Sequence, residues 1–379
     1  MKIMILMDSF KGTLSSIEAC ELISTAIRKE RRDINILSYL FGDGGENTLE
    51  CFKKVLKDAQ SVHTMVSSPY RIKEDAEYLI QNNTAIIESA KVIGLDKIDK
   101  RNPYLTSTYG LGQLIEDALD KGCRSFLVTL GGSSTNDGGA GMLSALGAEF
   151  IKKDGNEFIS TGGTLNEIDN ISISQLDARL KDCKFTLFSD VNNPLLGESG
   201  ATFVFSRQKG ASDKDIPILE ENMRHYRDMV SKATGKDLSS MPGTGAAGGL
   251  AYGFSSFFDC TIKSGAKEIL SLYGIEEKLN DVDLLITGEG RTDSSSLDGK
   301  CISILSSMAK KHKIRVLLVS GSIEKKILPK LKDIGITDYL SIQKDETKTF
   351  EEIKLHAKED LLHSMIEYIR EGRLDVLLS

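Results

Sequence analysis

Loops that follow short apolar runs carry side chains able to bind an anion or exchange a proton. They contain carboxylates, hydroxyls, amides and cations, which anion binding and acid–base chemistry use. The loops are residues 8–12, 42–46, 131–139, 190–194 and 288–293. Glycines recur in them, and glycine lets successive backbone N–H groups surround an anion. Together the loops suit a ligand that contains phosphate.

Each loop alone also has an ordinary structural explanation. Asp43 lies in Asp-Gly-Gly, a common turn, Lys11 fits a surface lysine, and Asp190 before Asn-Pro fits a turn cap. The small residues at 243–249 fit close packing of two elements as well as phosphate contact. Only the recurrence of such loops after predicted strands favours a binding site.

The elements between these loops alternate in type along the chain. Apolar runs predict strands at 3–7, 34–40, 84–88, 125–130, 184–188, 201–205, 283–287 and 315–319. Helical periodicity predicts helices that begin at the capping box of Ser15 and Glu18, at about 47–56, within 106–120, after Gly139 and at 350–370. This alternation predicts an α/β fold with a largely parallel sheet, in which ligands bind at the carboxyl ends of the strands.

At 379 residues the chain is longer than one core usually organises. Glycine-rich loops are concentrated between about 90 and 280, whereas both chain ends carry simple strand-loop-helix units. We therefore expect two α/β domains. Residues 1–85 and 281–379 would form a discontinuous Rossmann-like parallel-sheet domain, residues 86–280 an inserted α/β domain, and the active site would lie in the cleft between them.

Composition excludes several classes of protein. The net charge is −7 and the basic residues are scattered, so nucleic acid is not expected as a partner. The six cysteines form no Cys-x-x-Cys pair, which indicates reduced thiols. The N-terminal apolar run is too short for a secretion signal, and no apolar run reaches membrane-spanning length. We expect a cytoplasmic protein that does not enter a membrane.

Familiar nucleotide-binding and catalytic motifs are missing from the sequence. It contains neither the P-loop pattern Gly-x-x-x-x-Gly-Lys-Ser/Thr nor the His-Arg-Asp and Asp-Phe-Gly motifs of protein kinases. No Gly-x-Gly-x-x-Gly follows the first predicted strand, so nicotinamide chemistry has little support. None of the five histidines lies in the polar loops, which argues against histidine-based catalysis.

The polar loops, taken in order, resemble those of the type 1 glycerate kinase family. The resemblance covers nearly the whole chain, and its longest block, residues 131–142, is far more specific than a bare glycine pattern. Its blocks are residues 8–12, 43–46, 106–110, 131–142, 190–195, 208–211, 245–250, 287–293 and 320–322. Asn47 stands where the family usually has glycine, and asparagine can also take a positive φ.

This resemblance implies a phosphotransferase that uses ATP to phosphorylate D-glycerate, with a Rossmann-like domain formed by both chain ends and a second α/β domain inserted between them. It favours 2-phosphoglycerate as the product, although the residues themselves leave open whether the 2-hydroxyl or the 3-hydroxyl is attacked. Another small hydroxy acid as substrate, or a non-catalytic sensor of small anions, are the alternatives.

Phosphoryl transfer depends mainly on positioning and on neutralising charge, and this assigns roles to the loop residues. The expected catalytic residues are Asp190, as the base for the attacking hydroxyl, with Lys11 and Arg291 as cations for the glycerate carboxylate or the phosphoryl group. The expected substrate-binding residues are Ser9, Lys11, Ser133, Thr135, Asn136 and Arg291. The expected cofactor-binding residues are Asp43, Gly44, Gly45, Gly288, Glu289 and Asp293.

A magnesium ion is expected with the ATP. Asp43, Asp190 and Glu289 are its candidate ligands, directly or through water, since Mg²⁺ commonly takes one or two carboxylates. Asp43, Glu289 and Asp293 are also alternatives to Asp190 as the base. The sequence leaves open whether the protein is a monomer or a homodimer.

Overall fold

The structure is a computed structural model, and it describes residues 1–10, 12–42, 44–45, 47–297, 301–343 and 349–379. Helices and strands alternate along most of the chain. The strands are β1 (Lys2–Met7), β2 (Asn35–Leu40), β3 (Gln60–Ser67), β4 (Lys73–Gln81), β5 (Thr84–Glu88), β6 (Ser125–Thr129), β7 (Glu149–Ile151), β8 (Asn170–Ser172), β9 (Lys184–Phe188), β10 (Asp259–Lys263), β11 (Leu284–Gly288), β12 (Arg291–Thr292), β13 (Arg315–Ser320), β14 (Ser322–Ile323) and β15 (Asp338–Ser341).

The helices include several short ones that connect strands to longer helices. They are α1 (Ser16–Glu30), α2 (Thr48–Val55), α3 (Ala90–Ile93), α4 (Tyr109–Asp120), α5 (Ala140–Ala145), α6 (Ala201–Phe205), α7 (Asp215–Thr234), α8 (Ala246–Phe257), α9 (Gly265–Leu272), α10 (Ile275–Lys278), α11 (Cys301–Lys311), α12 (Leu328–Leu331), α13 (Phe350–Arg370) and α14 (Arg373–Leu378). The predicted α/β class is confirmed.

The chain folds into two compact units. The terminal unit consists of Met1–Asp43 and Ala266–Ser379, and the central unit is Gly44–Gly265. The terminal unit contains a five-stranded sheet in the order β15-β13-β11-β1-β2, and all of its neighbouring strands are parallel. The prediction of a Rossmann-like parallel sheet built from both chain ends is therefore confirmed.

The central unit contains a six-stranded sheet in the order β10-β9-β6-β5-β4-β3. Strands β5, β6, β9 and β10 run parallel, whereas β3, β4 and β5 are joined in antiparallel pairs. The core of this unit includes the buried side chains of Phe126, Leu187 and Tyr252. This is the inserted α/β domain that the sequence predicts, with an antiparallel edge that the sequence pattern did not reveal.

The boundaries of the units differ from the predicted ones. The prediction assigned residues 44–85 to the terminal domain, but β3 and β4 lie in this segment and pair with β5 in the sheet of the central unit. At the other boundary, residues 266–280 belong to the terminal unit. Pairing between strands that are distant in sequence sets these boundaries. No change of amino-acid composition marks them in the sequence.

The predicted strand at 201–205 is wrong, because these residues form the helix α6. Its sequence, Ala-Thr-Phe-Val-Phe, is rich in the β-branched and aromatic residues that favour strands. A short apolar run does not distinguish a strand from a buried helix by periodicity. Ala201 and Thr202 are fully buried whereas Val204 is 44% exposed, which matches one buried face of a short helix.

The capping box predicted from Ser15 and Glu18 is present at the start of α1. The Ser15 hydroxyl accepts a hydrogen bond from the Glu18 N–H at 3.2 Å, and the Glu18 carboxylate accepts one from the Ser15 N–H at 2.9 Å. Two backbone donors that the helix itself leaves without partners are thereby satisfied. The cap fixes where α1 begins after β1 and the loop 8–14.

We expect Ser15→Ala to lower the free energy of unfolding of the terminal unit by about 1 kcal/mol, because one N–H at the helix start loses its acceptor. Urea unfolding followed by circular dichroism measures this loss. Thr25→Ala is the matched control, since Thr25 is an exposed hydroxyl residue in the interior of the same helix and alanine favours helix. Equal midpoints for Ser15→Ala and the wild type would contradict the assigned cap.

Candidate functional site

The parallel strands of the central unit bring several polar loops to one edge of its sheet. Strands β5, β6, β9 and β10 pair in parallel register, so their carboxyl ends lie side by side. The loop 130–139 follows β6, Asp190 follows β9, and Ser264 follows β10. This is the edge at which open α/β sheets bind their ligands.

Asp137 organises the loop after β6 from the inside. Its carboxylate is fully buried. Oδ2 accepts hydrogen bonds from the N–H and the hydroxyl of Thr108, both at 2.8 Å, and from the N–H of Gly141 at 3.2 Å, while Oδ1 accepts one from Gly139 at 3.3 Å. Burial raises the pKa of Asp137, and these hydrogen bonds act in the opposite direction. The carboxylate thus fixes the loop to the start of α4 and of α5.

Lys209 lies under the same loop, at the end of the short helical turn Arg207–Lys209. Only 2% of the residue is exposed. Its Nζ donates to Ser133 Oγ at 3.1 Å and to the carbonyl oxygen of Thr135 at 2.6 Å. Burial lowers the pKa of Lys209 to about 7, and the negative charge of Asp137 counteracts part of this decrease.

The three substrate-binding residues predicted in this loop are brought together and are buried. Ser133 contacts Lys209, and Asn136 Nδ2 donates to Thr202 Oγ1 at 3.2 Å. Thr135 Oγ1 and Asn136 Oδ1 are buried and have no hydrogen-bond partner among the residues that the structure describes. Because a buried polar atom without a partner costs about 1–3 kcal/mol, these oxygens suit a site that a polar ligand or water completes.

Glycine is required in this loop region for close backbone packing. The Gly131 N–H donates to the Gly44 carbonyl at 2.8 Å, and a Cβ on Gly131 would overlap the backbone of Gly45. Gly248 has a φ of +66°, and a Cβ there would overlap the carbonyl oxygen of Thr135. For the segment 243–249, close packing is therefore the explanation that applies at Gly248.

Asp190, the predicted base, is half-buried directly after β9. Its Oδ1 accepts a hydrogen bond from the Ser264 hydroxyl at 2.6 Å, and the Ser189 N–H donates to the Lys263 carbonyl at 2.9 Å. These bonds tie the loop after β9 to the end of β10. Asp190 is thus a carboxylate of fixed position at the carboxyl edge of the sheet.

The terminal unit gathers a second set of predicted residues at the carboxyl edge of its own sheet. Met7 pairs with Gly288, and the Asp8 N–H donates to the Gly288 carbonyl at 2.8 Å. Ser9 therefore follows β1 and Glu289 follows β11, the neighbouring strand. Ser9, Gly288 and Glu289 are brought to one edge of this unit.

Arg291 lies in β12, which pairs with β14, and Asp293 follows β12. Arg291 pairs with Ser322, and Thr292 Oγ1 donates to Ser320 Oγ at 2.9 Å inside the unit. The Arg291 side chain is 71% exposed, and its Nε lies 3.9 Å from Asp293 Oδ2. The pairing fixes the backbone of Arg291 while its guanidinium extends into solvent, so it can bind an anion.

Lys11 and Asp43, together with Glu46, lie outside the described residues. Gly44 and Gly45 are described, and they pack in the central unit against the loop after β6. Asn47 has a φ of +66°, as expected for an asparagine at a position where the related motif has glycine.

Within the described ranges, no group of three or more His, Cys, Asp or Glu residues is arranged to hold a metal ion. Asp190 belongs to the central unit and Glu289 to the terminal unit. In the same ranges, no helix is both long and apolar enough to cross a membrane.

The sequence profile described as "Glycerate kinase family" matches residues 3–371 of this chain. The chain therefore belongs to the glycerate kinase family. It is 40% identical over 327 residues to the glycerate 2-kinase of Escherichia coli K12, which covers 85% of this chain and 86% of the relative. It is 37% identical over 329 residues to the glycerate kinase of Bacillus subtilis 168, with 86% of each chain covered.

A solved structure from this family shares the fold. It is a crystal structure from Salmonella typhimurium LT2, provisionally described as glycerate kinase 2, with a TM-score of 0.74, 32% identity and 99% of both chains covered. The predicted family and the predicted enzyme class are confirmed. The roles of individual residues stay predictions.

Sequence reasoning missed two residues that organise the site. The sequence places Asp137 in a polar loop but indicates no role for it, and Lys209 stands out only as part of the block 208–211. Their importance comes from burial and from partners distant in sequence: Thr108 for Asp137, and Ser133 and Thr135 for Lys209. The one signal in the sequence was that both residues lie within blocks of the family resemblance.

We expect the side-chain amine of Lys209 to titrate with a midpoint near the pKa of about 7 that burial gives it. A solvated lysine titrates at about 10.4. NMR of protein labelled with ¹³C at lysine Cε measures the midpoint, and the signal of Lys209 is the one that Lys209→Met removes. A midpoint above about 9 would contradict the buried environment of this amine.

The lowered pKa of Lys209 also makes the free energy of unfolding depend on pH. Between about pH 7 and pH 10 the native state has released this proton while the unfolded chain keeps it, so the unfolded state binds more protons. The free energy of unfolding of the wild type should rise with pH relative to Lys209→Met, by up to about 1.4 kcal/mol per pH unit. A difference between the two proteins that is independent of pH would contradict the assignment.

Proposed function

We propose that this protein transfers the γ-phosphoryl group of ATP to D-glycerate, giving 2-phosphoglycerate and ADP. The observation that carries the proposal is the buried loop 131–142 at the carboxyl edge of the central sheet, where Asp137 accepts hydrogen bonds from Thr108 and where Lys209 donates hydrogen bonds to Ser133 and Thr135. The names of the relatives support glycerate as the acceptor, and the E. coli relative supports the 2-hydroxyl. The cytoplasmic location expected from the sequence is part of this proposal.

In the proposed reaction the 2-hydroxyl oxygen of glycerate attacks the γ-phosphorus of ATP. The new P–O bond forms as the bond to the ADP oxygen breaks, and the hydroxyl proton passes to the carboxylate of Asp190. The bond from Ser264 holds Asp190 Oδ1 in place, which is what a base for a positioned hydroxyl requires. Lys11 and Arg291 neutralise negative charge on glycerate or on the transferring group, and Ser9 contributes a hydroxyl to substrate binding.

The nucleotide is assigned to Asp43, Gly44, Gly45, Gly288, Glu289 and Asp293. Gly288, Glu289 and Asp293 lie after or at the end of β11, where parallel sheets bind phosphate groups. The chemistry of the donors fits Mg²⁺, because Asp190 and Glu289 are carboxylates after strand ends and Mg²⁺ commonly takes one or two carboxylates plus water. We therefore assign Mg²⁺ to Asp43, Asp190 and Glu289. When bound, Mg²⁺ neutralises charge on the phosphate oxygens.

The test is ADP release from Mg-ATP with D-glycerate, L-glycerate, glycerol and other small hydroxy acids, with the product identified by NMR. The proposal predicts selective turnover of D-glycerate and phosphate on the 2-hydroxyl. Selective turnover of another hydroxy acid would identify that acid as the phosphoryl acceptor instead of D-glycerate. Binding of D-glycerate by the folded protein without any ATP turnover would favour a sensor of small anions.

We expect Asp190→Asn to lower kcat for D-glycerate about a thousandfold, because an amide does not accept the hydroxyl proton. Any rise in the KM for Mg-ATP reports the separate assignment of Asp190 to Mg²⁺, since the nucleotide itself is assigned to other residues. Asp154→Asn is the matched control, because Asp154 is an exposed aspartate of the central unit whose carboxylate caps its own turn. A kcat for Asp190→Asn within a few-fold of that of the control would remove Asp190 as the base.

A further inference from the structure

Burying the amine of Lys209 costs free energy that packing of the fold alone does not explain. Lysine is almost never fully buried unless it is paired, and Lys209 is only 2% exposed. Its amine has two hydrogen-bond acceptors among the described residues, Ser133 Oγ and the Thr135 carbonyl, rather than a carboxylate. A methionine of similar length would fill the same space without desolvating an amine. Packing alone therefore gives no reason for an amine at this position.

The two bonds of Lys209 act on alternate residues of the loop. Ser134, between them, has partners of its own: its N–H and its hydroxyl donate to the Ile93 carbonyl at 2.7 and 2.9 Å, and its carbonyl accepts from Thr106. Asp137 is held by Thr108. Lys209 thus fixes the Ser133 side chain, whose hydroxyl has no second hydrogen-bond partner in the part of the chain that the structure describes.

The bond to Ser133 also determines what its hydroxyl can do. An amine carries two N–H groups and an ammonium three, so either form of Lys209 can donate to both acceptors. Because Ser133 Oγ accepts from Lys209, its own proton remains available for donation to another acceptor. Ser133 is 4% exposed, whereas Thr135 and Asn136 are fully buried, so Ser133 lies at the rim of the buried cluster.

We propose that Lys209 is a positioning residue of the phosphoryl acceptor site, where it orients Ser133 so that the serine hydroxyl donates a hydrogen bond to the carboxylate of the hydroxy acid. This inference rests on the proposed function. Lys209 acts through Ser133 and does not itself contact the substrate, in keeping with its burial. With this role for Lys209, the central unit recognises the carboxylate of the hydroxy acid. Other cations neutralise the charge of the phosphoryl group.

A double-mutant cycle with Lys209→Met and Ser133→Ala tests the proposal, with kcat/KM measured for D-glycerate and for ATP. We expect Ser133→Ala to lower kcat/KM for D-glycerate about 30-fold and Lys209→Met about tenfold, because the orienting lysine acts only through the serine hydroxyl. The double variant should be no worse than Ser133→Ala, because Lys209 has no hydroxyl left to orient once Ser133 is alanine. The KM for ATP should stay within about twofold of the wild type. Losses that multiply in the double variant would overturn the proposal.

Hydrogen exchange provides a readout that does not depend on activity. We expect faster amide exchange in residues 131–136 of Lys209→Met, with unchanged exchange in β5 and β9. Lys152→Met is the matched control, because Lys152 is a lysine of the same unit that pairs with Glu167, and neither exchange in 131–136 nor kcat/KM should change in it. Unchanged exchange in Lys209→Met would overturn the positioning role.

The two proposals fail in different ways. If the wild type does not turn over D-glycerate, the proposed function fails. Hydrogen exchange and calorimetric measurement of D-glycerate binding then test the positioning role of Lys209. Faster exchange with weaker binding in Lys209→Met supports its role in holding an anion site. If the wild type is active and Lys209→Met matches it, the proposed function stands and the role of Lys209 is overturned.

Discussion

The buried carboxylate of Asp137 is the constraint on which the candidate site depends. A carboxylate inside a protein needs hydrogen-bond donors around it, and here the donors come from Thr108, Gly139 and Gly141. Meeting that need joins the loop after β6 to the starts of α4 and α5. Lys209 then has a fixed surface to pack under, and Gly248 can approach the Thr135 carbonyl because glycine has no Cβ. The candidate acceptor site is thus built by satisfying polar groups in the interior of one unit.

Much of the fold could be predicted from sequence because local signals agreed with the tertiary structure. The capping box at Ser15, the apolar runs of β5 and β9 and the long helix α13 all occur where their patterns predict them. The prediction failed where distant contacts decide the structure. Residues 201–205 form a helix because one face is buried, and residues 44–85 join the central unit because β3 and β4 pair with β5. Neither burial nor pairing can be read from those segments alone.

In the candidate site, too, residues close together in sequence were predictable and residues brought in from a distance were not. Ser133, Thr135 and Asn136 are predicted together because they lie in one short loop, and the structure buries them together. Lys209 is distant from them in sequence and follows a polar stretch that is typical of a surface turn, so no local pattern indicates its burial. The glycines also carry less information than their number suggests, since Gly131 and Gly248 are required by backbone packing. A glycine-rich loop at a strand end therefore predicts where a ligand binds better than it predicts which group touches it.

We assign the loop held by Asp137 and Lys209 to binding of the acceptor acid. A crystal structure of the protein with D-glycerate and a non-hydrolysable ATP analogue tests it most directly. We expect the glycerate carboxylate within hydrogen-bond distance of Ser133 Oγ, with the bonds of Lys209 to Ser133 and Thr135 retained. Glycerate bound elsewhere, with the loop 131–136 free of ligand, would contradict it.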